Sequence, residues 1–421
     1  MNKTEKMIEF IRKSPSMYHV ISNMEEVLQK SGYERLDEKE SWALQKNRKY
    51  YVTRNGSSLI AFHIPKGEAR GFQMVASHSD SPTFKVKENP EIVVDEKYIR
   101  LNVEKYGGMI LSTWFDRLLS VAGRVIVRKN GVLVEQLVNI DKDLMVIPSV
   151  AIHMNYEMNK GIAYNPQTDL SPLFMMGKEK QGFRELLAQE LQVDTGDILG
   201  SDLYLYVREQ GRLFGGNDDF VISPKLDDLQ SVYASMTAMS ESTPTIYMNV
   251  CAVFDNEEVG SGTKQGADST FLQDTLERIR DGMGYTREQY LRMIADSFLI
   301  SADNAHAVHP NHPEYADPTN RPYLNGGIVL KYQGSQKYTT DAVSAARMKD
   351  ICDRAEVPYQ TYFNRSDIAG GSTLGNISTA HVSVSSVDIG FPQLAMHSAV
   401  ETAGAKDTAY GIRAFEEFYK E

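Results

Sequence analysis

Apolar residues recur at helical spacing near the start of the chain and in short runs soon after. Residues 3–13 and 17–31 carry apolar side chains three and four positions apart, which predicts two amphipathic helices. Two apolar runs, Ser58–Ile64 and Gly71–Ser77, each end in a polar turn and are typical of strands. The chain is therefore predicted to begin with two helices followed by strands.

The pattern changes between residues 88 and 217, where short β-rich runs and turns dominate. The strand-like runs are Glu91–Val94, Tyr98–Val103, Arg124–Val127 and Val132–Val138, and a mixed stretch follows at 157–196. This pattern of short strand-like runs and turns predicts an inserted, mainly β domain at 88–217. Residues 1–87 and 218–421 would then form one discontinuous domain.

Strand and helix patterns alternate after residue 225. Thr245–Phe254 is a long apolar run suited to a buried parallel strand. The other predicted elements are helices at 269–281 and 286–296, a strand ending at Ser301, a Gly-bounded strand pair at 327–340 followed by a helix, a strand at Val382–Ile389 and a helix at 407–421. This alternation predicts an α/β fold.

The net charge and the cysteine content of the chain limit its possible binding partners and its cellular compartment. The net charge of −11 argues against nucleic acid and anionic membranes, which favour basic surfaces. Two cysteines, Cys251 and Cys352, lie outside any metal-type spacing and favour a reducing compartment. With no signal-type segment and no apolar run of membrane-spanning length, we expect a cytoplasmic protein.

Polar clusters follow several of the predicted strands. His78 ends one strand, and Asp80 lies two residues later, where it can accept the second imidazole N–H of a metal ligand. Asp227 opens a predicted helix, and its two oxygens can bridge two metal ions. A polar turn and a helix N-cap are the alternative interpretations.

The sharpest local signal is Asp255–Ser261, directly after the buried strand. Adjacent Glu257 and Glu258 repel one another there unless a cation or a proton intervenes. A division of labour, with one metal ligand and one general base, removes that cost. The alternative is a solvated acidic loop.

Two further clusters contain histidines. Asp303 follows the strand ending at Ser301, and His306 and His309 would share one face if that segment were helical. His397 lies among apolar residues near the C-terminus, where a hydrogen-bonded core histidine is the alternative. Taken together, the clusters match the oxygen and nitrogen ligands of a two-metal hydrolase.

These segments resemble the M18 (aspartyl aminopeptidase-like) metallopeptidases from about residue 14 to the C-terminus. In family order they are HSDSP at 78–82, STWFDR at 112–117, LDD at 226–228, DNEEVGS at 255–261, SADNAHAVHP at 301–310 and QLAMHS at 393–398. Relatives often have LDN and SADMAH at the matching positions, and neither change removes a ligand. The resemblance implies a zinc-peptidase mixed-sheet sandwich core, with helices on both faces and an inserted dimerisation domain.

The resemblance also implies residue roles. His78, Asp227 and Asp303 would hold one metal ion, and Asp227, Glu258 and His397 the other, with Glu257 as general base and Asp80 orienting His78. The implied substrate contacts are His306, Lys331, Tyr338 and His153 lent by a neighbouring subunit. Two Zn²⁺ per subunit are expected, with Co²⁺ or Mn²⁺ as alternatives. The implied assembly is a homo-oligomer built from dimers, commonly a dodecamer.

The predicted function is therefore a cytoplasmic metallo-aminopeptidase acting on peptides and favouring N-terminal Asp or Glu. Alternatives are the same reaction with neutral, apolar or broad specificity, or a related two-metal deacylase or carboxypeptidase. A non-catalytic scaffold would be expected to lose Glu257 or a ligand, and all are present. The glycine-rich stretch Ala369–Gly375 lacks the GK[ST] ending of a phosphate loop, so nucleotide binding is a weak alternative.

Overall fold

The computed structural model describes residues 1–179 and 182–421. The α-helices among them are α1 (Lys3–Lys13), α2 (Met17–Lys30), α3 (Pro166–Asp169), α4 (Phe183–Leu191), α5 (Leu226–Glu241), α6 (Phe271–Gly282), α7 (Arg287–Ala295), α8 (Ala342–Arg354), α9 (Leu374–His381) and α10 (Asp407–Phe418). None of the helices in these described ranges is long and apolar enough to cross a bilayer.

The strands belong to three sheets. In chain order they are β1 (Glu34–Leu36), β2 (Lys49–Arg54), β3 (Ser58–His63), β4 (Phe72–His78), β5 (Thr83–Val94), β6 (Tyr98–Tyr106), β7 (Leu118–Lys129), β8 (Val132–Asn139), β9 (Met145–Val146), β10 (Leu173–Met176), β11 (Ile198–Val207), β12 (Arg212–Phe214), β13 (Phe220–Ser223), β14 (Met248–Phe254), β15 (Phe298–Ala302), β16 (Ala305–His306), β17 (Ile328–Tyr332), β18 (Tyr359–Phe363), β19 (Ser385–Gly390), β20 (Pro392–Leu394) and β21 (Glu401–Gly404).

A mixed nine-stranded sheet forms the core of the molecule. Its strand order is β1-β2-β3-β14-β4-β15-β19-β17-β18. Apolar side chains of α1, α2, α5, α8 and α10 belong to one core cluster, and those of α6, α7 and α9 belong to another. Both clusters draw on the sheet, through Val75 and Val253 in the first and Met74 and Val250 in the second. Because side chains alternate along a strand, these neighbours face opposite sides, and the predicted α/β sandwich with helices on both faces is confirmed.

The first predicted helices are found close to their expected bounds. α1 begins at a capping box between Asn2 and Glu5, and it buries Met7, Phe10 and Ile11 along one stripe. The run Thr245–Phe254 forms β14, which is parallel to β4 as expected but antiparallel to β3. The apolar spacing of residues 3–13 and 17–31 therefore predicted both N-terminal helices correctly.

One local prediction is wrong. The strand pair at 327–340 contains one strand, β17, whose parallel neighbour β18 follows only after α8. The condition under which His306 and His309 would share one helical face is not met, because His306 belongs to β16, which pairs with β20. Pro310 disfavours a helical conformation of the residue before it, so a helix through His309 is unfavourable there.

Residues 83–207 contribute a second, seven-stranded sheet with its own apolar core. The strand order is β11-β5-β6-β10-β9-β7-β8, and β11 also pairs with β7. Phe84, Trp114, Val121 and Leu203 belong to this core. β5 already begins at Thr83, and the division at residues 87 and 217 stays a prediction. Lys180 and Gln181, within the mixed stretch of the sequence, lie outside the described residues.

A small third sheet brings distant segments to the edge of the large one. Its order is β12-β13-β21-β20-β16. α5 begins shortly after β13, and the loop between β20 and β21 contains His397. This sheet therefore holds together the backbones that precede Asp227 and flank His397.

Candidate metal centre

Three parallel neighbours in the large sheet end beside one another. β4 pairs with β14 on one side and with β15 on the other. His78 ends β4 opposite Phe254 at the end of β14, and Asp303 follows β15 directly. Since the carboxyl ends of parallel strands share one edge of a sheet, the polar residues after these strands meet there.

Asp227 reaches the same edge from the start of α5. Its backbone is not helical (φ −81°, ψ 107°), and Lys225 rather than Asp227 takes the N-cap position. One carboxylate oxygen lies 3.4 Å from His78 Nε2, and the other lies 3.4 Å from His397 Nε2. Asp227 thus lies between two imidazoles and presents one oxygen to each.

The described residues contain three groups of acidic and imidazole side chains whose ligand-type atoms lie within 4.8 Å of one another. These groups are His78, Asp227 and Asp303; Asp227, Glu258 and His397; and His78, Glu257 and Glu258. Asp303 lies 3.8 Å from His78 Nε2, and Glu258 lies 3.5 Å from His397 Nε2. We call His78 with Asp303 the His78 side, and His397 with Glu258 the His397 side; Asp227 joins them.

The donor set fits zinc. Imidazole nitrogens and carboxylate oxygens are ligands that zinc accepts in catalytic sites. Asp227 Oδ1 and Glu258 Oε1 are buried and have no hydrogen-bond partner among the described residues. A buried carboxylate oxygen without a donor is costly, and a cation between these side chains removes that cost.

The pKa values of the cluster also indicate an excess of negative charge. Burial raises the pKa of the Glu257 carboxyl to about 8, and the carboxylates of Asp303, Asp80 and Asp227 add to the shift. Burial opposes protonation of His397, but its hydrogen bond to Asp227 and the charge of Glu258 raise the pKa of its imidazole to about 10. An increase in both pKa values is expected where several carboxylates share one desolvated site.

Asp80 lies behind His78 and organises the loop after β14. His78 Nδ1 lies 3.3 Å from Asp80 Oδ1 and 3.1 Å from the Asp80 carbonyl oxygen, which directs Nε2 toward the cluster. The backbone N–H groups of Glu257 and Glu258 each donate to the Asp80 carboxylate at 3.2 Å. One carboxylate therefore fixes both an imidazole and the acidic loop.

Three residues at the end of β6 complete the cluster and were not predicted: Tyr106, which ends the strand, and Gly107 and Gly108, which follow it. The Tyr106 hydroxyl donates to Asp80 Oδ2 at 2.7 Å, and the Gly108 carbonyl accepts from His397 Nδ1 at 2.8 Å. Gly107 has φ +81°, and a Cβ there would lie 3.1 Å from the Cβ of Glu258. The paired glycines after a strand-like run were the one local signal of this close approach.

A cavity of about 290 Å³ opens beside the cluster. Its wall includes Asp227, Glu257, Asp303 and His397, so the cluster forms one end of it. The rest of the wall includes His306, Lys331, Tyr338, Tyr362 and Gly371–Thr373. Three of the four predicted substrate contacts therefore line the cavity, and the glycine-rich stretch forms a loop at its wall.

Lys331 is a buried residue of β17 with 2% exposure, not a surface lysine. Its Nζ donates to the Asp303 carbonyl at 2.7 Å, lies 3.3 Å from Asp303 Oδ2 and lies 3.4 Å from the Asn304 carbonyl. Burial opposes its charge, but Asp303 raises the pKa of its ammonium above the usual value. Lys331 is therefore the counter-ion of Asp303.

His153 lies apart from this cavity on an exposed loop. The centroid of its ring lies 6.3 Å from that of the Tyr156 ring. His153 does not line the cavity. Val150, Ile152, Met154 and Tyr156 around it are large apolar side chains that are also exposed. Within one subunit, His153 is the predicted site residue that the structure does not bring to the cluster.

A mixed sheet between helices, with imidazole and carboxylate groups converging at its strand ends, is typical of metal-dependent hydrolases. The family model described as Aminopeptidase I zinc metalloprotease (M18) matches residues 10–419. The chain is 46% identical over 421 residues to the probable M18 family aminopeptidase 2 of Clostridium novyi (strain NT), covering 98% of this chain and 97% of that protein. The same protein of Clostridium acetobutylicum is 47% identical over 423 residues, with 99% and 98% covered.

Solved structures agree with these matches. The chain superposes on one chain of the cryo-EM structure of the Ape4 and Nbr1 complex with a TM-score of 0.95 at 35% identity, covering 99% of this chain and 85% of that chain. It superposes on one chain of the S. cerevisiae mApe1 dodecamer with a TM-score of 0.86 at 27% identity, covering 99% of this chain and 96% of that chain. The chain belongs to the M18 family of zinc metallo-aminopeptidases, and the resemblance found in the sequence is confirmed.

Proposed function

We propose that this aminopeptidase uses a co-catalytic pair of zinc ions and Glu257 as the general base. The position of Asp227 carries the proposal, because its two oxygens each lie 3.4 Å from a different histidine. His78, Asp227 and Asp303 would hold one ion, and Asp227, Glu258 and His397 the other. When bound, zinc supplies Lewis acidity to the scissile carbonyl and lowers the pKa of the attacking water.

Glu257 is the group we assign to proton transfer. It lines the cavity beside Asp227 and Asp303, and neither proposed ion requires it as a ligand. Its backbone is fixed by the N–H bond to Asp80, so its side chain is held at the cavity wall. We propose that Glu257 accepts the proton of the attacking water and passes it to the leaving amine.

We propose that N-terminal Asp and Glu residues are favoured, because the Lys331 ammonium lies buried in the cavity wall with Tyr338 and His306. One observation favours the alternative of neutral or broad specificity. Three acceptors already surround Lys331 Nζ, two of them from Asp303, so its charge is shared with a candidate ligand. A preference for Asp or Glu therefore requires a substrate carboxylate to replace one of these hydrogen bonds to Lys331 Nζ. Neutral or broad specificity requires no such exchange.

We propose that the chain works as a homo-oligomer built from dimers, with the dodecamer as the expected assembly. A similar solved structure is a dodecamer, and residues 88–217 would form the dimerisation domain. His153 lies on an exposed loop with Val150, Ile152 and Met154, so a neighbouring subunit would receive it beside its own cavity. Two buried, unpaired cysteines accord with a cytoplasmic location, which is part of the proposal.

Two measurements test this function. Metal analysis of the purified protein should give two zinc ions per chain, and a single ion would contradict the paired site. A panel of aminoacyl chromogenic substrates should be cleaved fastest for Asp and Glu, and faster cleavage of Leu would establish the alternative specificity. Peptides with a blocked N-terminus serve as the control, because a carboxypeptidase or endopeptidase would still cleave them.

A further inference from the structure

Glu401 is a buried carboxylate to which the proposed reaction assigns no task. It begins β21 and is 2% exposed. Its Oε2 accepts the backbone N–H of Asp227 at 3.0 Å, and its Oε1 accepts the backbone N–H of His397 at 2.8 Å. The Gln393 side-chain N–H also donates to Oε1, at 3.2 Å. Three donors therefore converge on this one carboxylate.

The same network continues to the third ligand segment. Gln393 Oε1 accepts from Asn304 Nδ2 at 2.6 Å, and Asn304 directly follows Asp303. Asn304 Nδ2 also donates to the Leu226 carbonyl at 3.0 Å, next to Asp227. Gln393 and Asn304 are both buried. The backbones at or beside Asp227, Asp303 and His397 are thus joined by one chain of side chains.

The segments held by Glu401 lack the support of regular structure. Asp227 has non-helical dihedrals inside the first turn of α5, and His397 has a left-handed φ of 65°. The left-handed conformation is unfavourable for a residue with a Cβ, because the Cβ comes close to the following carbonyl oxygen. His78, in contrast, lies in β4 with parallel partners on both sides. A side chain that accepts the N–H of both Asp227 and His397 replaces the missing backbone partners.

We propose that Glu401 is a positioning residue that fixes Asp227 and His397 and thereby sets the zinc affinity of the His397 side. Glu401 acts through backbone hydrogen bonds and does not touch the substrate. Outer-shell partners of this kind change metal affinity by about 10- to 100-fold when they are removed. The inference rests on the proposed metal centre.

The test is Glu401→Gln, with zinc affinity measured by competition against a chromogenic chelator. Glutamine offers one acceptor oxygen and two N–H donors to a site that itself supplies three donors, so it cannot hold both N–H groups. We expect one of the two zinc ions to be lost at about 10- to 100-fold lower chelator concentration than in the parent. The ion of the His78 side should be affected less.

Asp407→Asn is the matched control. Asp407 is also a buried carboxylate that accepts two backbone N–H groups, from Asn325 at 2.8 Å and Gly327 at 3.0 Å, but it does not line the cavity. It should lower stability without changing either zinc affinity. The proposal is overturned if Glu401→Gln binds both ions like the parent, or if Asp407→Asn weakens zinc equally. Should Glu401→Gln fail to fold, Glu401→Asp retains the charge but is one methylene too short to reach both groups.

Failure of the proposed metal centre would look different. A parent protein that binds one zinc ion contradicts the paired site itself. Even then, Glu401→Gln should weaken that ion, because Asp227 lies between both histidines and its N–H bond to Glu401 would still be disturbed. Unchanged affinity for that single ion would overturn the role of Glu401 separately.

Discussion

The His78 side and the His397 side contain the same kinds of groups but are held in different ways. His78 and Asp303 stand at the ends of adjacent parallel strands, whose backbone hydrogen bonds fix their positions. His397 and Glu258 stand on loops that contain left-handed residues, and Asp80 and Glu401 hold their backbones through side-chain acceptors. The His397 side therefore depends on a few individual hydrogen bonds, and single substitutions there should have local effects on metal binding.

The largest effect is expected where the two sides meet. Asp227→Asn replaces one of the two oxygens that face His78 and His397 with an N–H donor. We expect both zinc ions to be lost on dialysis and peptide hydrolysis to become undetectable. Metal analysis and turnover measured on the same sample test this, and a variant that keeps two ions would show that Asp227 does not join the sides.

Glu257→Gln should separate chemistry from metal binding. The amide cannot accept the proton of the attacking water, so turnover should fall by about 10²- to 10⁴-fold. Zinc content should stay at the parent level, since neither side relies on Glu257 in our assignment. Near-parent turnover in this variant would remove Glu257 from the role of general base.

Lys331→Met tests the His78 side alone. It removes the ammonium that lies 3.3 Å from the Asp303 carboxylate and leaves that charge buried without its partner. Breaking a buried pair in this way costs about 3–5 kcal/mol of unfolding free energy. Urea unfolding of the zinc-free protein measures it, and an unchanged free energy would mean that Lys331 is not the counter-ion of Asp303.

The smallest effect should come from a histidine outside both sides. Burial on β3, with Lys49 opposite, lowers the pKa of His63 to about 4. The unfolded chain then binds this proton first as pH falls from about 6.5 toward 4, so His63 makes the folded state less stable in that window. His63→Gln should flatten the decline of the unfolding midpoint in zinc-free protein; an identical decline would contradict the shift.

Those parts of the site that follow strands could be predicted from the sequence. Apolar runs located β4, β14 and β15, and the polar residues directly after them include His78, Glu257 and Asp303. The predicted strand pair at 327–340 is wrong in its second half, because no strand forms at 333–340. There the chain instead turns, and Tyr338 becomes buried at the cavity wall beside Lys331.

Apart from Asp80, which lies two positions after His78, the residues that support the ligands could not be predicted from local patterns. Glu401 and Asp227 are separated by 174 positions, and Gly108 and His397 by 289. Their contacts depend on how the three sheets pack, and each residue alone resembles an ordinary loop or strand residue. Lys331 was predicted to face the substrate, but its bonds to Asp303 become visible only when β17 and the loop after β15 are brought together.

The segment Tyr106–Gly108 has a consequence for how substrate enters. It leads out of β6 in the seven-stranded sheet, yet it bonds to Asp80 and His397 at the edge of the large sheet. Hinge motion between the two sheets would withdraw the hydroxyl from Asp80 and the carbonyl from His397 at the same time. We therefore expect the two sheets to stay fixed against each other while a peptide enters the cavity beside the cluster.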